Sequence, residues 1–185
     1  MTLKIYRAIK TNVITQKFGE NKNPIYKQVG MLGHEGIDFL SYDKEPLYFD
    51  CNVKGTVIAI CTDINLGYGI TIITETDNSI FKHRYWHLKD FNVKINQVVE
   101  SGDLIGWCDN TGNSTGTHLH RDIKEQILRS GVFNNKYQDN KYFGAISMDD
   151  YFVNMFILDL MDNLKQQVSV ITKIIGLVKI LIGQK

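Results

Sequence analysis

Short β-branched runs, separated by glycine, asparagine and aspartate, fill the chain from about residue 12 to 125. Val53 to Ile60 is one such run, Gly69 to Thr74 a second, and Ile80 to Trp86 alternates before reaching His87. Val98-Val99 and Leu104 to Trp107 flank a Ser101-Gly102-Asp103 turn. Many short strands with turn residues between them indicate an antiparallel, mainly β fold, a compact sheet or sandwich, and not βαβ units. Pro24 and Pro46 fall in expected loops. Residues 126–147 are polar and poorly periodic, which suits a surface connection.

The pattern then changes. Ser147-Met148-Asp149-Asp150 reads as a helix N-cap followed by an acid. Beyond it Ile157, Met161, Leu164, Val168, Ile171, Ile175, Val178 and Ile182 step alternately by four and three. This is an a/d heptad seam of the coiled-coil kind, with β-branched residues that lean to trimers or higher states. The expected organisation is a β domain over 1–147, with its motif core at 12–125, and a long amphipathic helix over 148–185. That helix serves self-association or docking in an assembly, packs on its own domain, or lies on a membrane surface, where Ile174, Leu177, Ile180 and Leu181 widen its apolar face.

Composition narrows the classes of function. The 185 residues suit one domain with an appendage, and a 43% hydrophobic, 22% charged composition excludes wholesale disorder. Twenty-one basic against 20 acidic side chains provide no footprint for bulk nucleic-acid binding. Cys51, Cys61 and Cys108 are odd in number and fit no zinc-finger spacing, so a disulfide scaffold is not expected. Lys4, Arg7 and Lys10 interrupt the N-terminus, which reads as lacking a signal peptide, and no apolar stretch reaches the length of a spanning helix.

Chemistry concentrates in the five histidines, His34, His83, His87, His118 and His120. In Gly33-His34-Glu35-Gly36-Ile37-Asp38 a histidine and an aspartate lie four apart, but the bracketing glycines argue against a helix. The HExxH reading with Glu35 as base is therefore weak, while a loop or irregular strand can still converge both side chains on one metal. Spacing of two in a strand places His118 and His120 on one face, with Leu119 toward the core. Imidazole plus carboxylate is a ligand set that catalytic zinc accepts. Any single histidine is more often surface or satisfied core.

Taken together, HEGID at 34–38, YWHL at 85–88 and TGNSTGTHLH at 111–120 resemble the lysostaphin/LytM-type zinc metallopeptidases, which cut peptidoglycan cross-links. Phe18-Gly19, Gly55-Thr56-Val57, Gly67-Tyr68-Gly69 and Gly102 to Gly106 match as well, so the resemblance covers about residues 12–125. It implies one Zn²⁺ on His34, Asp38 and His120, with His118 and His87 as catalytic histidines, and Tyr26 helping to polarise the substrate. His83 matches no family motif and reads as a rim or surface histidine. Arg121 stands where the family has an aromatic or aliphatic residue and Asp122 where Glu is common, a departure that alters packing or marks a partner contact. The implied activity is endopeptidase hydrolysis of peptidoglycan cross-links, with selectivity in loop walls around 20–33 and 126–145. The heptad helix and the lack of a leader favour a bacteriophage virion or tail setting, with docking to other virion proteins, or release at lysis. The alternatives are a non-catalytic tail scaffold and a bacterial wall hydrolase.

Overall fold

Valine, isoleucine and threonine crowd the runs around residues 55–75, and their branched side chains favour pleated backbone packed on both faces. The structure is a computed structural model that describes residues 1–11, 13–153 and 167–176. Its strands are β1 (Ile14–Gln16), β2 (Ile37–Leu40), β3 (Pro46–Tyr48), β4 (Gly55–Cys61), β5 (Tyr68–Glu75), β6 (Ile80–Phe91), β7 (Val98–Val99), β8 (Leu104–Cys108), β9 (His118–Arg129) and β10 (Val132–Asn135). A single helical turn, α1 (Ile25–Gln28), follows Pro24.

The strands form one sheet in the order β1-β2-β9-β6-β5-β4-β7, with β10 added beside β9 and β8 bridging β6 to β3. Every named pairing is antiparallel, as the strand pattern implied. β9 lies in the interior of the sheet, paired with β2 on one edge and β6 on the other. Ile37, Phe39, Leu47, Val57, Ile70, Ile72, Tyr85, Ile105, Leu119 and Ile123 build the core on one face.

Four local expectations are corrected. Pro46 begins strand β3, a position where its missing N–H is tolerated. The surface connection expected from 126 begins instead as a hairpin. β9 runs to Arg129 and β10 returns through Ser130 and Gly131, both at positive φ (50° and 76°), the geometry of a two-residue type I′ turn. Ser147 caps no helix, because its Oγ accepts from Asp149 N at 3.2 Å within a single turn, after which Phe152 bridges to Ile5. The long C-terminal helix is replaced, among the described residues, by a short helix α2 over 167–176. The seam positions Ile157, Met161, Leu164, Val178 and Ile182 lie outside the described residues. The chain divides into two units, Met1–Phe152 and Val153–Lys185.

Beneath the sheet a charged network is sealed in the core. Arg121, 1% exposed, donates to both Asp50 oxygens, from Nε at 3.2 Å and Nη2 at 3.0 Å, and lies over the Tyr85 ring. Tyr85 Oη donates to the same carboxylate at 2.6 Å. Arg121 Nη2 also meets His83 Nδ1 at 2.8 Å, so His83 accepts there and donates from Nε2 to Thr74 Oγ1 at 2.8 Å. His83 is thus fully buried, not a rim histidine, and Arg121 serves core packing instead of a partner contact. Burial and the neighbouring guanidinium hold His83 neutral, well below the usual histidine range.

Removing one member of such a network leaves its partners dry and unpaired. Arg121→Ala is expected to lower the unfolding free energy by about 3–5 kcal/mol, read by urea denaturation, because Asp50 keeps a buried charge without its donor.

Candidate metal and catalytic site

On the opposite face of β9 the same alternation brings His118 and His120 outward toward β2. Register pairs Asp38 with His120 and Leu40 with His118. His34 arrives from the loop preceding β2, which is tied to the N-terminal segment by Gly19 N→His34 O (2.8 Å) and His34 N→Glu20 O (3.0 Å). Gly36 permits the approach. A Cβ there would sit 2.6 Å from Arg121 O and 2.8 Å from His120 Cε1, so only glycine lets the loop close on the imidazole.

His34, Asp38 and His120 converge. His34 Nε2 and His120 Nδ1 are 2.9 Å apart, and Asp38 Oδ1 lies 3.2 Å from the first and 3.0 Å from the second. Ligand atoms about 2.0–2.1 Å from a tetrahedral zinc ion sit about 3.3 Å from one another, close to these separations. Two ring nitrogens and a carboxylate oxygen at such distances repel unless a proton or a cation lies among them. The donor set therefore fits zinc. On the far side of the His120 ring, Nε2 lies 3.4 Å from Asp122 Oδ2, while Arg84 holds that carboxylate by Nε and Nη2, both at 2.9 Å. A carboxylate behind a metal-ligating histidine orients the ring and raises its basicity. His34 Nδ1 has no partner among the described residues.

His118 Nδ1 faces Gly116 O at 2.7 Å and Ser114 Oγ at 3.1 Å. His87 Nδ1 faces Thr111 O at 2.7 Å. A carbonyl only accepts, so both rings carry a proton on Nδ1, and in the neutral form of either ring Nε2 is the bare nitrogen. His118 Nε2 is 3.7 Å from Asp38 Oδ1, and the His87 and His118 rings lie 4.5 Å apart. All five expected positions thus gather in one place. Tyr26 on α1 stands at the edge, its ring 6.2 Å from His34 and its hydroxyl accepting from Gln16 Nε2 at 2.8 Å.

His87 reaches the site through a bulge. Gly69 pairs with Trp86 and Tyr68 with Leu88, leaving His87 without a partner at φ 65°. Simple alternation would put His83 and His87 on one face; the extra residue turns His87 outward while His83 stays in the core. Gly67 admits the ring, since a Cβ there would lie 2.9 Å from Thr111 O and 3.3 Å from His87 Nδ1.

Charge follows geometry. Burial opposes ionisation of Asp38, yet hydrogen bonds from His120 and His34 hold it well below the usual carboxylate range. Burial likewise opposes the His120 cation, but Asp122 and Asp38 push it up to about 9. His87 is lowered to about 4 by burial and by the neighbouring His118 and His120, against the pull of the Thr111 carbonyl. Asp122, Arg84, Thr111, Ser114 and Gly116 were not singled out as site residues by sequence. Thr111, Ser114 and Gly116 lie inside the 111–120 motif and Asp122 two residues past His120 on the same strand face, whereas Arg84 left no signal there.

The profile of peptidase family M23 matches residues 32–139. The glycyl-glycine endopeptidase ALE-1 of Staphylococcus capitis is 33% identical over 57% of this chain and 27% of its own length. The peptidoglycan DD-endopeptidase ShyB of Vibrio cholerae is 32% identical over 65% of the chain and 26% of its own. A zinc-containing peptidase from Vibrio cholerae superposes with a TM-score of 0.52 at 30% identity, covering 63% of this chain and 36% of that one. The chain spans less than a third of the curated relatives it matches.

Two outcomes are expected from the site geometry. Gly36→Ala displaces the His120 ring and weakens zinc binding at least tenfold in competition with a chelator. Metal-free protein is most stable near pH 6.5, measured by urea unfolding across pH. His120, raised to about 9, contributes stability that is complete below about 6.5 and lost as pH rises through 9. His87, lowered to about 4, and His83 act at the other end. The unfolded chain takes up their protons near pH 6.5 while the folded state refuses them, so stability falls as pH drops from there toward 4. Added zinc replaces the His120 proton and removes the alkaline loss.

Proposed function

The chain belongs to peptidase family M23, and from that premise we propose that it is a zinc-dependent endopeptidase that hydrolyses peptide cross-links of bacterial peptidoglycan. The observation that carries this reading is the convergence of His34, Asp38 and His120 within 4.8 Å of one another, beside two histidines with bare Nε2 atoms. The printed activities of ALE-1 and ShyB support the substrate class.

His34, Asp38 and His120 would hold the ion. Zinc bound there supplies Lewis acidity, polarising a peptide carbonyl and lowering the pKa of water from 15.7 toward about 7. The protein's own groups move the protons. His87, neutral at pH 7, or His118 accepts a proton at Nε2 from the attacking water. The same nitrogen returns it to the departing amine as the C–N bond breaks, and the new carboxyl's proton passes to that amine, leaving a carboxylate and an ammonium group. The pinned Nδ1–H groups keep both rings oriented through this exchange. Tyr26, whose hydroxyl already accepts from Gln16, has its own proton free to donate toward the carbonyl oxygen.

The segment after Phe152 is proposed to attach the enzyme, by self-association or by docking to virion proteins, in a bacteriophage particle that digests wall during infection. The heptad spacing supports this, together with the exposure of Val168, Ile171 and Ile175 on α2.

Zinc content and wall digestion, measured side by side, test the enzyme. Wild type is expected to bind about one zinc per chain and to clear purified walls. His118→Ala keeps its zinc and loses about 10²–10⁴-fold in rate, whereas Asp38→Ala loses both. Stoichiometric zinc on Asp38→Ala would overturn the ligand set, and bound zinc without digestion of any wall type would favour a scaffold role.

A further inference from the structure

The metal site occupies one end of a face that β6 and β9 share. Three cross-strand pairs step along it: Trp86 opposite His120, Arg84 opposite Asp122, and Lys82 opposite Lys124. Alternation puts all six side chains on this face, the face opposite the buried Phe81, His83 and Tyr85. Arg84 is spent on Asp122, with both contacts at 2.9 Å. The next pair has no such arrangement. Lys82 and Lys124 are like charges directly opposite one another, which destabilises a sheet. Lys124 donates to a carbonyl, Phe143 O, at 2.6 Å, and among the described residues neither ammonium has a carboxylate in ion-pair contact. Burial, followed by Arg84, lowers Lys124 to about 8 and Lys82 in the same direction, against the pull of Asp122 on both and of Glu35 on Lys124.

Beside this pair a cavity of about 480 Å³ opens, lined by Lys82, Phe133, Asn134, Asn135, Gln138 and Phe143. Asn135 pairs with Gln126, which places it on the same face as Lys124. The cavity combines one half-buried ammonium, three carboxamides that donate and accept, and two aromatic walls. That is the chemistry of an extended peptide bearing an acidic group. Lys82 lies four residues along β6 from Trp86, about 13 Å at strand rise, the reach of about four extended peptide residues.

We infer that Lys82 and the cavity beside it form a substrate subsite that binds a carboxylate carried about four residues from the hydrolysed bond. An incoming carboxylate answers the Lys82 ammonium, and it does so beside the half-exposed row Lys82, Arg84 and Trp86 that β6 carries toward His120. This rests on the endopeptidase reading and adds a requirement to it: the cross-link is acidic on one side of the cleaved bond.

Two synthetic cross-link peptides that differ only in a carboxylate or a carboxamide at that distance test the subsite. Wild type is expected to favour the carboxylate by about tenfold in kcat/KM, the strength of one charge-assisted contact. Lys82→Gln brings the ratio close to one, and Lys82→Glu inverts it. A wild-type ratio near one, or the wild-type ratio retained in both variants, overturns the subsite and leaves the hydrolase standing. If wild type cleaves neither peptide, the hydrolase reading fails instead, and calorimetric binding of the two peptides to wild type and Lys82→Glu decides the subsite alone. Equal affinities throughout would refute it, and a carboxylate preference lost in Lys82→Glu would support it.

Discussion

Two-residue alternation along β9 is the constraint on which the rest of this structure depends. The strand is covered on both faces, so each of its side chains must find a dry environment that satisfies it. Outward, His118, His120, Asp122 and Lys124 form a polar row that meets β2, β6 and the loops around Gly36 and Phe143. Inward, Leu119, Arg121 and Ile123 enter the core. A slip of one residue would turn the polar row into the apolar core and the core residues toward Asp38, so the register against Asp38 and Trp86 is held from both sides at once.

Arg121 gives this constraint its energetic weight. A guanidinium in the core is tolerated only because Asp50, His83 and the Asp122 carbonyl receive its donors and the Tyr85 ring lies against its face. The network ties β9 to β6 and to the segment after β3, one residue away from the ligand His120. Rigidity behind the metal site therefore comes from a buried ion pair where a purely apolar strand would rely on packing. Glycines do the complementary work in front. Gly36 and Gly67 leave space where a side chain would push His120 or His87 aside.

The site is polarised by its neighbours in a definite order. Arg84 holds Asp122, Asp122 faces His120, and His120 faces Asp38, so alternating charges run from the sheet face into the ligand cluster. His87 and His118 are pinned at Nδ1 by backbone carbonyls, and His118 Nε2 faces the same Asp38 oxygen at 3.7 Å. The proposed ligands and the proposed proton carriers thus differ in what holds them: charged side chains face the first, and main-chain carbonyls hold Nδ1 of the second.

Sequence alone determined the antiparallel β class, the strand runs around residues 55–75 and 98–107, and the same-face placement of His118 and His120, because period-two patterning is local. The motifs at 34–38, 85–88 and 111–120 likewise named the residues that meet. Tertiary structure decided the rest. No local pattern marks a non-glycine bulge, so the turn of His87 away from His83 became visible only from the register with Gly69. The burial of Arg121 depended on Asp50, 71 residues away along the chain, and that of His83 on Arg121 and on Thr74 across the β5–β6 pair. The helix expected to start at Ser147 does not begin there, because the segment to Phe152 turns on Ser147 and pairs with Ile5. Local periodicity sets which side a residue faces, whereas a long-range contact decides what it faces.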